Sequence, residues 1–283
     1  MILVADSGST KCDWFISDGE QRVFGKTMGF NPFFHSEEFI LSELGKSEVL
    51  NQYKEAVESV YYYGAGCSSP ERNEILKRAL SAYFPNAINW TIAQDMAGAA
   101  FATCGEDPGV VCILGTGSNS CFYDGKDVHE KIPALGYVLG DEGSGAYFGK
   151  ILLADYLYGR MPVELSQEFD AKYDVAKEEV FQHVYHKPHV NVYLASFMKF
   201  ASFHMEHPYV NEMIYQGLKK FAQIHILCYS NYNDYPVRFV GSIAHYFRDI
   251  LEQVGRELDF EVGGVVKKPI EPLADFHLSK VPS

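Results

Sequence analysis

Short apolar runs that end in small polar turns dominate the start of the chain. Residues 1–5 form a continuous apolar run, which predicts a buried strand, and residues 6–10 (DSGST) form the polar turn after it. Residues 12–17 predict a return strand that ends at Asp18-Gly19, a strong hairpin signal. A third strand is expected at about residues 22–27. The pattern therefore predicts three consecutive strands joined by tight turns.

Helices and strands then alternate as far as about residue 104. A helix is expected over residues 36–44, with the serine as its N-cap. Residues 59–63 and 87–92 predict strands, and residues 69–71 (SPE) combine an N-cap, a proline at N1 and an acid in the first turn. Asp95 follows the second of these strands and opens an alanine-rich helix. The alternation indicates an α/β fold.

The opening pattern returns in the second half of the chain. Residues 110–114 and 120–123 predict strands on either side of the polar turn 115–119 (GTGSN), before a second Asp-Gly hairpin signal. Residues 8–12 (GSTKC) match residues 117–121 (GSNSC) at a constant offset of 109. We interpret this as an internal duplication of a strand–loop–strand unit. The alternative is a chance match between two short turns rich in glycine and serine.

The length and the duplication together predict two domains. At about 150 residues per domain, 283 residues suggest two. The boundary is expected within residues 103–108, where a glycine and a proline interrupt the pattern. Residues 144–230 are mostly helix-like, so the second domain should carry a helical insertion. A strand at residues 236–240 and a helix at 243–258 follow.

The balance of charges excludes several classes of function. The chain carries 24 Lys and Arg against 37 Asp and Glu, a formal charge of −13, without a basic run. Such a chain is a poor candidate for general binding to nucleic acids or anionic membranes. The first apolar run is far too short for a signal peptide, and no stretch approaches about 18 apolar residues. We therefore expect a cytoplasmic protein without a membrane span, whose six scattered cysteines are free thiols.

Two hairpin loops rich in Gly, Ser and Thr suit a triphosphate. Such loops place several backbone N–H groups and hydroxyls near one point, and they bind phosphate without basic side chains. A carboxylate beside them repels phosphate unless Mg²⁺ intervenes, so Asp6 is interpreted as a Mg²⁺ ligand, often through water. The alternative is two ordinary tight hairpins. The candidate phosphate-binding residues are Ser7, Gly8, Ser9, Thr10, Lys11, Gly115, Thr116 and Gly117.

Four motifs in order carry a family resemblance. They are DSGSTK at residues 6–11, GTGSN at 115–119, GDEGS at 140–144 and VGSIA at 240–244. With them the chain resembles the actin/hexokinase/heat-shock-chaperone ATPase superfamily, and more narrowly the BadF/BadG/BcrA/BcrD group, whose sugar-kinase members include N-acetylglucosamine kinases. The resemblance implies two ribonuclease-H-like domains with ATP in an interdomain cleft. The domains would be residues 1–105, completed by about 266–283, and residues 106–265.

The resemblance also implies roles for single residues. Asp95 would accept the proton of a sugar hydroxyl, and Gly241 and Ser242 would form the adenosine loop. The sugar itself would be bound by Asn31, Ser118, Asn119 and Asp141. Three of these residues also have a structural interpretation: a helix N-cap for Asp95, a helix-start loop for Asp141 and a turn former for Asn31.

The function expected from this resemblance is that of an ATP-dependent sugar kinase with ATP and Mg²⁺ as cofactors. The implied substrate is an amino sugar, N-acetylglucosamine giving its 6-phosphate, with glucosamine and N-acetylmuramic acid as alternatives. The group's usual assembly is a homodimer. Two other functions stay open: an ATPase that activates a redox enzyme, and a sugar or nucleotide sensor without turnover. The first needs cysteines in the second domain, and none lies between Cys121 and Cys228.

Overall fold

The computed structural model describes residues 1–8, 10–32 and 34–280, and it divides into two compact units. The first unit contains residues 1–107, 124–128 and 268–283, and the second contains residues 108–123 and 129–267. The domain limits inferred from the sequence, 1–105 and 106–265, stay a prediction.

Ten strands and fourteen helices are present in these described ranges. The strands are β1 (Ile2–Ser7), β2 (Lys11–Ser17), β3 (Val23–Met28), β4 (Ser59–Gly64), β5 (Asn89–Gln94), β6 (Gly109–Leu114), β7 (Ser118–Tyr123), β8 (Val128–His129), β9 (Val237–Val240) and β10 (Val262–Val266). The helices are α1 (Glu37–Leu44), α2 (Glu48–Tyr53), α3 (Pro70–Tyr83), α4 (Asp95–Cys104), α5 (Gly136–Leu139), α6 (Gly145–Leu157), α7 (Val163–Lys172), α8 (Lys177–Tyr185), α9 (Val190–Ser196), α10 (Met198–Phe203), α11 (Pro208–His225), α12 (Ser242–Tyr246), α13 (Arg248–Leu258) and α14 (Ile270–Leu278).

The first unit is built on a mixed sheet in the order β3-β2-β1-β4-β5. The first three strands pair antiparallel, and β4 and β5 run parallel to β1. Side chains alternate between the faces of a strand, so Leu3 and Ala5 face one way and Ile2 and Val4 the other. The first pair packs in a core with residues of α1 and α3, and the second pair packs with residues of α4 and α14. The sheet is thus covered by helices on both faces.

The second unit repeats this topology. Its sheet has the order β10-β9-β6-β7-β8, with β6 and β7 antiparallel and β9 and β10 parallel to β6. The predicted α/β fold of two ribonuclease-H-like domains is therefore confirmed. The predicted offset of 109 is wrong, because the paired strands begin at residues 2 and 109, and at 11 and 118, which differ by 107. Strand ends set the register, and the matching Gly and Ser letters lie two residues out of it.

Three local predictions need correction. The polar segment at Asp6 and Ser7 is not a turn, because β1 continues through both residues. The helix expected over 243–258 is two helices, which meet at Phe247. Ser69 stands at the N-cap position of α3 but its side chain makes no capping hydrogen bond. By contrast, the Ser36 side chain accepts a hydrogen bond from the N–H of Phe39 and caps α1 as predicted.

The second unit consists of the sheet with its flanking elements and a long helical segment, and the helical segment is the larger of the two. Six helices, α6 to α11, occupy residues 145–225, and they share one apolar core with the sheet through side chains such as Phe148, Phe169 and Phe221. The loop expected near Lys187-Pro188 separates α8 from α9. None of the described helices is both long and apolar enough to span a membrane. The six cysteines form no disulfide bond.

The last helix returns to the first unit and buries a histidine there. Ile270, Leu273 and Ala274 of α14 pack on the face of the sheet formed by Ile2 and Val4. The ring of His277 stacks on Tyr61 with centroids 3.9 Å apart, and its Nε2 lies 2.9 Å from the hydroxyl of Tyr63. Burial, aided by Lys280, lowers the pKa of His277 to about 4 from its usual 6.5.

We expect His277 to make the folded protein sensitive to acid. Its pKa is lower in the folded protein than in the unfolded chain, so its contribution is complete above about pH 6.5 and is lost as the pH falls toward 4. The loss is on the order of 2 kcal/mol. The free energy of unfolding of wild type and His277→Gln, measured with urea at several pH values, should therefore converge as the pH falls.

The matched control is His183→Gln, which changes a partly exposed histidine of α8. It makes the same change of residue type without altering the contacts of His277 with Tyr61 and Tyr63. An equally steep slope in His277→Gln and in the wild type would contradict the assignment.

Candidate functional site

The end of β1 places two neighbouring polar side chains on opposite faces of the first sheet. Asp6 lies on the face of Ile2 and Val4, which α4 and α14 cover. Ser7 lies on the other face, is fully buried, and its Oγ accepts a hydrogen bond from the N–H of Phe30 at 3.0 Å. The tip of the strand therefore presents Asp6 on the side of the sheet where α4 begins.

The first loop is shaped by a close backbone crossing. The N–H of Gly8 donates to the carbonyl of Lys11 at 3.0 Å, which closes the hairpin. A Cβ on Gly29 would lie 1.9 Å from the carbonyl oxygen of Gly8, so only glycine fits there. Lys11 Nζ lies 2.7 Å from Oδ2 of Asp13, and Thr10 is exposed. Ser9, also predicted to bind phosphate, lies outside the described residues.

Three aspartates interact at this end of the sheet. Asp6 and Asp13 are direct cross-strand partners on β1 and β2, and Asp95 is close enough for its charge to act on Asp6. Desolvation, followed by repulsion from Asp95 and Asp13, raises the pKa of Asp6 to about 7, while Lys11 acts in the opposite direction. A carboxylate that is desolvated and repelled by other carboxylates has affinity for a cation, because the positive charge would offset both the desolvation and the repulsion.

Asp95 is positioned by the junction of β5 and α4. Gln94 ends the strand with extended backbone and occupies the N-cap position, so Asp95 is the first residue of the helix. Its Oδ1 accepts a hydrogen bond from the N–H of Met96 at 3.0 Å. Burial and, to a smaller extent, the charge of Asp95 raise the pKa of the Cys67 thiol to about 12. Asp95 thus faces the region between Cys67 and Asp6.

Asn31 is held against a glycine turn that follows β4. Its N–H donates to Nδ1 of His35 at 3.2 Å. Gly66 has a φ of 84°, and a Cβ there would lie 2.3 Å from Oδ1 of Asn31. Gly66 therefore makes room for the side chain of Asn31.

The second loop is attached to the first turn of α6. The carbonyls of Gly115 and Thr116 accept hydrogen bonds from the N–H groups of Gly145 and Ala146 at 2.8 and 3.0 Å. Gly115 donates its own N–H to Gly117 at 3.0 Å, just as Gly8 donates within the first loop. A Cβ on Gly115 would meet no atom within 4 Å, so there is open space beside this loop. The N–H groups of Gly8 and Gly115 both donate within their own loops, so neither is left as a donor for a ligand. What the two glycines offer a ligand is close approach to the backbone.

Asp141 and Glu142 point to different partners. Asp141 has a φ of 55°, and its Oδ1 accepts from the N–H of Ser118 at 3.4 Å beside Gly117. Burial raises the pKa of Asp141. The carboxylate of Glu142 lies 3.5 Å from Nζ of Lys220, and its carbonyl accepts from Oγ of Ser118 at 2.8 Å. Asp141 thus belongs to the second loop, whereas Glu142 is part of its support.

Gly241 brings the predicted adenosine loop to the end of β6. Its φ is 121°, and a Cβ would lie 2.3 Å from the carbonyl of Leu114 and 3.1 Å from the N of Gly115. Its N–H donates to Val266 at 2.9 Å, and the exposed Ser242 begins α12. Gly241 is therefore packed directly against the start of the second loop.

Within each unit the structure thus brings most of the predicted residues together. In the first unit, Asp6, Lys11 and Asp95 interact. In the second, the loop 115–117 contacts Asp141 and Gly241. Asn119 lies on the face of β7 opposite to Ser118 and Ser120, and Ser120 is buried against His225. No group of three or more His, Cys, Asp or Glu among the described residues is arranged to hold a metal ion by itself.

Sequence reasoning missed two carboxylates. Asp13 is buried and opposes Asp6, and the two-residue spacing from Lys11, which puts both side chains on one face of a strand, could have indicated it. Glu130 forms a hydrogen bond to Asn119, and no pattern in the chain signals it, because the contact depends on the path of the segment after β8.

Comparisons with solved structures show likenesses over nearly the whole chain. No family model and no curated protein matches the chain. The crystal structure of a "putative N-acetylglucosamine kinase" from Porphyromonas gingivalis shares 37% sequence identity with a TM-score of 0.93, and the match covers 99% of each chain. A protein of the same description from Chromobacterium violaceum shares 16% identity with a TM-score of 0.69, over 97% of this chain and 98% of that one. A ROK family glucokinase from Streptomyces griseus, in complex with glucose and AMPPNP, shares 14% identity with a TM-score of 0.57, over 97% and 98%. The last two likenesses show a shared fold.

Gly241→Ala should destabilise the second unit and displace the second loop. The substitution combines a left-handed φ with a clash against the backbone of β6, so we expect a loss of about 2 kcal/mol or more in the free energy of unfolding. Urea denaturation measures this loss. Gly264→Ala on β10 is the control, because a Cβ there meets nothing within 4 Å. Equal stability of the two variants would show that Gly241 is not constrained.

Proposed function

The chain belongs to the same family of actin-like sugar kinases as the Porphyromonas gingivalis protein, and from this premise we propose that it transfers the γ-phosphoryl group of ATP to an amino sugar. The proposed acceptor is N-acetylglucosamine and the product its 6-phosphate, with glucosamine and N-acetylmuramic acid as alternative acceptors. The observation that carries the proposal is the placement of Asp95 at the start of α4, within electrostatic reach of Asp6 at the end of β1. Assignment to the BadF/BadG/BcrA/BcrD group stays a prediction.

ATP is proposed to be bound by two loops of small residues. Residues 7–11 supply the first phosphate loop and residues 115–117 the second, and Gly241 with Ser242 approaches the adenosine. The open space beside Gly115 and the glycine required at Gly241 support this assignment. The likeness in fold to a glucokinase in complex with AMPPNP also supports ATP as the donor.

The residues at the end of the first sheet fit a Mg²⁺ ion. Mg²⁺ prefers oxygen ligands, keeps several waters, and is usually bound by one or two carboxylates together with substrate phosphates. Asp6 supplies such a carboxylate, and the desolvation and repulsion that it experiences would be relieved by a cation. When bound, the ion would neutralise charge on the terminal phosphates of ATP. Asp6 is proposed to hold it, through water.

Asp95 is proposed to receive the proton of the acceptor hydroxyl. The hydroxyl oxygen attacks the γ-phosphorus, the bond to the β–γ bridging oxygen breaks, and ADP leaves, while the proton passes to the carboxylate. Because phosphoryl transfer has a loose transition state, this role is chiefly positioning. The N-terminus of α4 favours an ionised carboxylate, and the hydrogen bond from Met96 fixes its orientation.

The sugar is proposed to be bound by four polar side chains, those of Asn31, Ser118, Asn119 and Asp141. Amide and carboxylate groups suit sugars, because they form directional hydrogen bonds to neighbouring hydroxyls.

We extend the proposal to a cytoplasmic homodimer, which is the assembly implied by the resemblance. Sedimentation equilibrium measures the number of chains in the assembly.

Asp95→Asn should lose most of the kinase activity while it keeps the fold. Asparagine preserves shape but cannot take up the proton, so we expect kcat to fall by about 10²–10⁴ with the KM for ATP little changed. A coupled ADP-release assay with Mg-ATP and a panel of amino sugars measures both quantities. Asp107→Asn, an exposed aspartate of the same unit, is the control.

Each outcome of this assay has a clear meaning. Stimulation of ADP release by one amino sugar, lost in Asp95→Asn but not in Asp107→Asn, supports the kinase and names its substrate. Release that no sugar stimulates would contradict the proposed function. Full activity in Asp95→Asn would leave the kinase in place and move the proton acceptor elsewhere, with Asp141 as the next candidate.

Activity should depend on Mg²⁺ through Asp6. EDTA should abolish ADP release and added Mg²⁺ restore it, and Asp6→Asn should need a Mg²⁺ concentration at least about tenfold higher for half-maximal rate, which is roughly 1.4 kcal/mol of binding. Because the same substitution removes repulsion with Asp13 and Asp95, it should also raise the free energy of unfolding without Mg²⁺. A variant with unchanged Mg²⁺ dependence would exclude Asp6 as the ligand.

A further inference from the structure

An exposed carboxylate lies beside one of the proposed sugar-binding residues. Oε1 of Glu130 accepts a hydrogen bond from Nδ2 of Asn119 at 3.5 Å. No cation among the described residues forms an ion pair with Glu130, and burial raises its pKa. Its neighbour Lys131 points its Nζ to the carbonyl of Cys228, 2.5 Å away.

The amide of Asn119 is fixed at both ends. Its Oδ1 accepts from the N–H of Ser120 at 2.8 Å, and its Nδ2 donates to Glu130. A carboxylate can only accept, so Glu130 selects the amide orientation that turns Nδ2 toward it. One N–H of Nδ2 and one lone pair of Oδ1 remain in a defined direction for a ligand.

Glu130 borders an open space rather than a packed core. It lines a cavity of about 240 Å³ together with Phe122, Tyr229 and Asn231. Asn119 itself stands on the face of β7 away from the buried Ser118 and Ser120. Phe122 shares a face of β7 with Ser118 and Ser120, so this cavity lies on the other side of the strand from Asn119, and Glu130 borders the cavity while it contacts Asn119.

We infer that Glu130 is a positioning residue for the sugar, which fixes the amide of Asn119 so that its second N–H and its oxygen meet neighbouring hydroxyls of the substrate. The inference rests on the proposed function and adds a residue outside the four motifs. Glu130 acts through Asn119, so its removal is expected to change recognition of the sugar and not of ATP.

Steady-state kinetics test this inference with five variants. Glu130→Ala should lower kcat/KM for the sugar about tenfold, or roughly 1.4 kcal/mol, with the KM for ATP within about twofold of wild type. Glu130→Gln should recover most of this loss, because its Oε1 can still accept from Nδ2. In the background of Asn119→Ala, the further change Glu130→Ala should have almost no effect. Glu206→Ala, an exposed carboxylate of the same unit, is the control.

A measurement without turnover separates this inference from the proposed function. The side-chain amide signals of Asn119 in a ¹H–¹⁵N spectrum, identified by their loss in Asn119→Ala, should move as Glu130 is protonated and should stay still in Glu130→Gln. Signals that do not respond to Glu130, or additive losses in the double variant, would overturn the inference. If the wild type phosphorylates no sugar but the signals follow Glu130, the proposed function fails while the hydrogen bond to Asn119 stands.

Discussion

Repulsion among three aspartates at the end of the first sheet is the constraint on which the rest of the molecule depends. Asp6 and Asp13 face each other across β1 and β2, and Asp95 adds its charge from the start of α4. Like charges opposite each other weaken a sheet. The strands withstand this because Leu3, Ala5, Ile2 and Val4 are buried on both faces, and each large apolar side chain buried contributes about 1.5–3 kcal/mol. The electrostatic cost to stability is thus concentrated around Asp6, where a bound cation would remove it.

The duplicated unit carries different chemistry in its two copies. Both sheets have the same strand order, and each first hairpin ends in a loop of small residues. In the first copy the hairpin carries Asp6, Lys11 and Asp13. In the second, the loop 115–117 has no charged residue and is attached to α6, while Asp141 approaches it from another segment. The topology was duplicated, but the charged groups of the two sites come from different places in the chain.

The sequence predicts the elements well because their apolar runs are local. It predicts Asp95 at a helix start for the same reason, since strand, polar residue and alanine-rich helix are adjacent. It does not predict that β1 continues through Asp6 and Ser7, because pairing with β2 and β4 on both sides outweighs local polarity. The burial of His277 was equally hidden, since it depends on Tyr61 and Tyr63, more than two hundred residues away along the chain. Gly29 and Gly241 are visible as glycines, but only the backbone that each approaches explains them.

The residues of the motifs and the residues that determine sugar specificity give different information about the function. Residues 6–11, 115–117 and 241 are proposed to meet phosphate and nucleotide, which every kinase of this fold must bind, so they identify the class of reaction. Discrimination among amino sugars has to come from groups that meet the acceptor and its substituents. The segment that contains Glu130 lies between two motifs and belongs to neither. Such a segment can vary without disturbing the phosphate loops. The 37% identity to the Porphyromonas gingivalis protein therefore fixes the family, while the acceptor depends on contacts outside the motifs, of which we propose that of Glu130 with Asn119 as one.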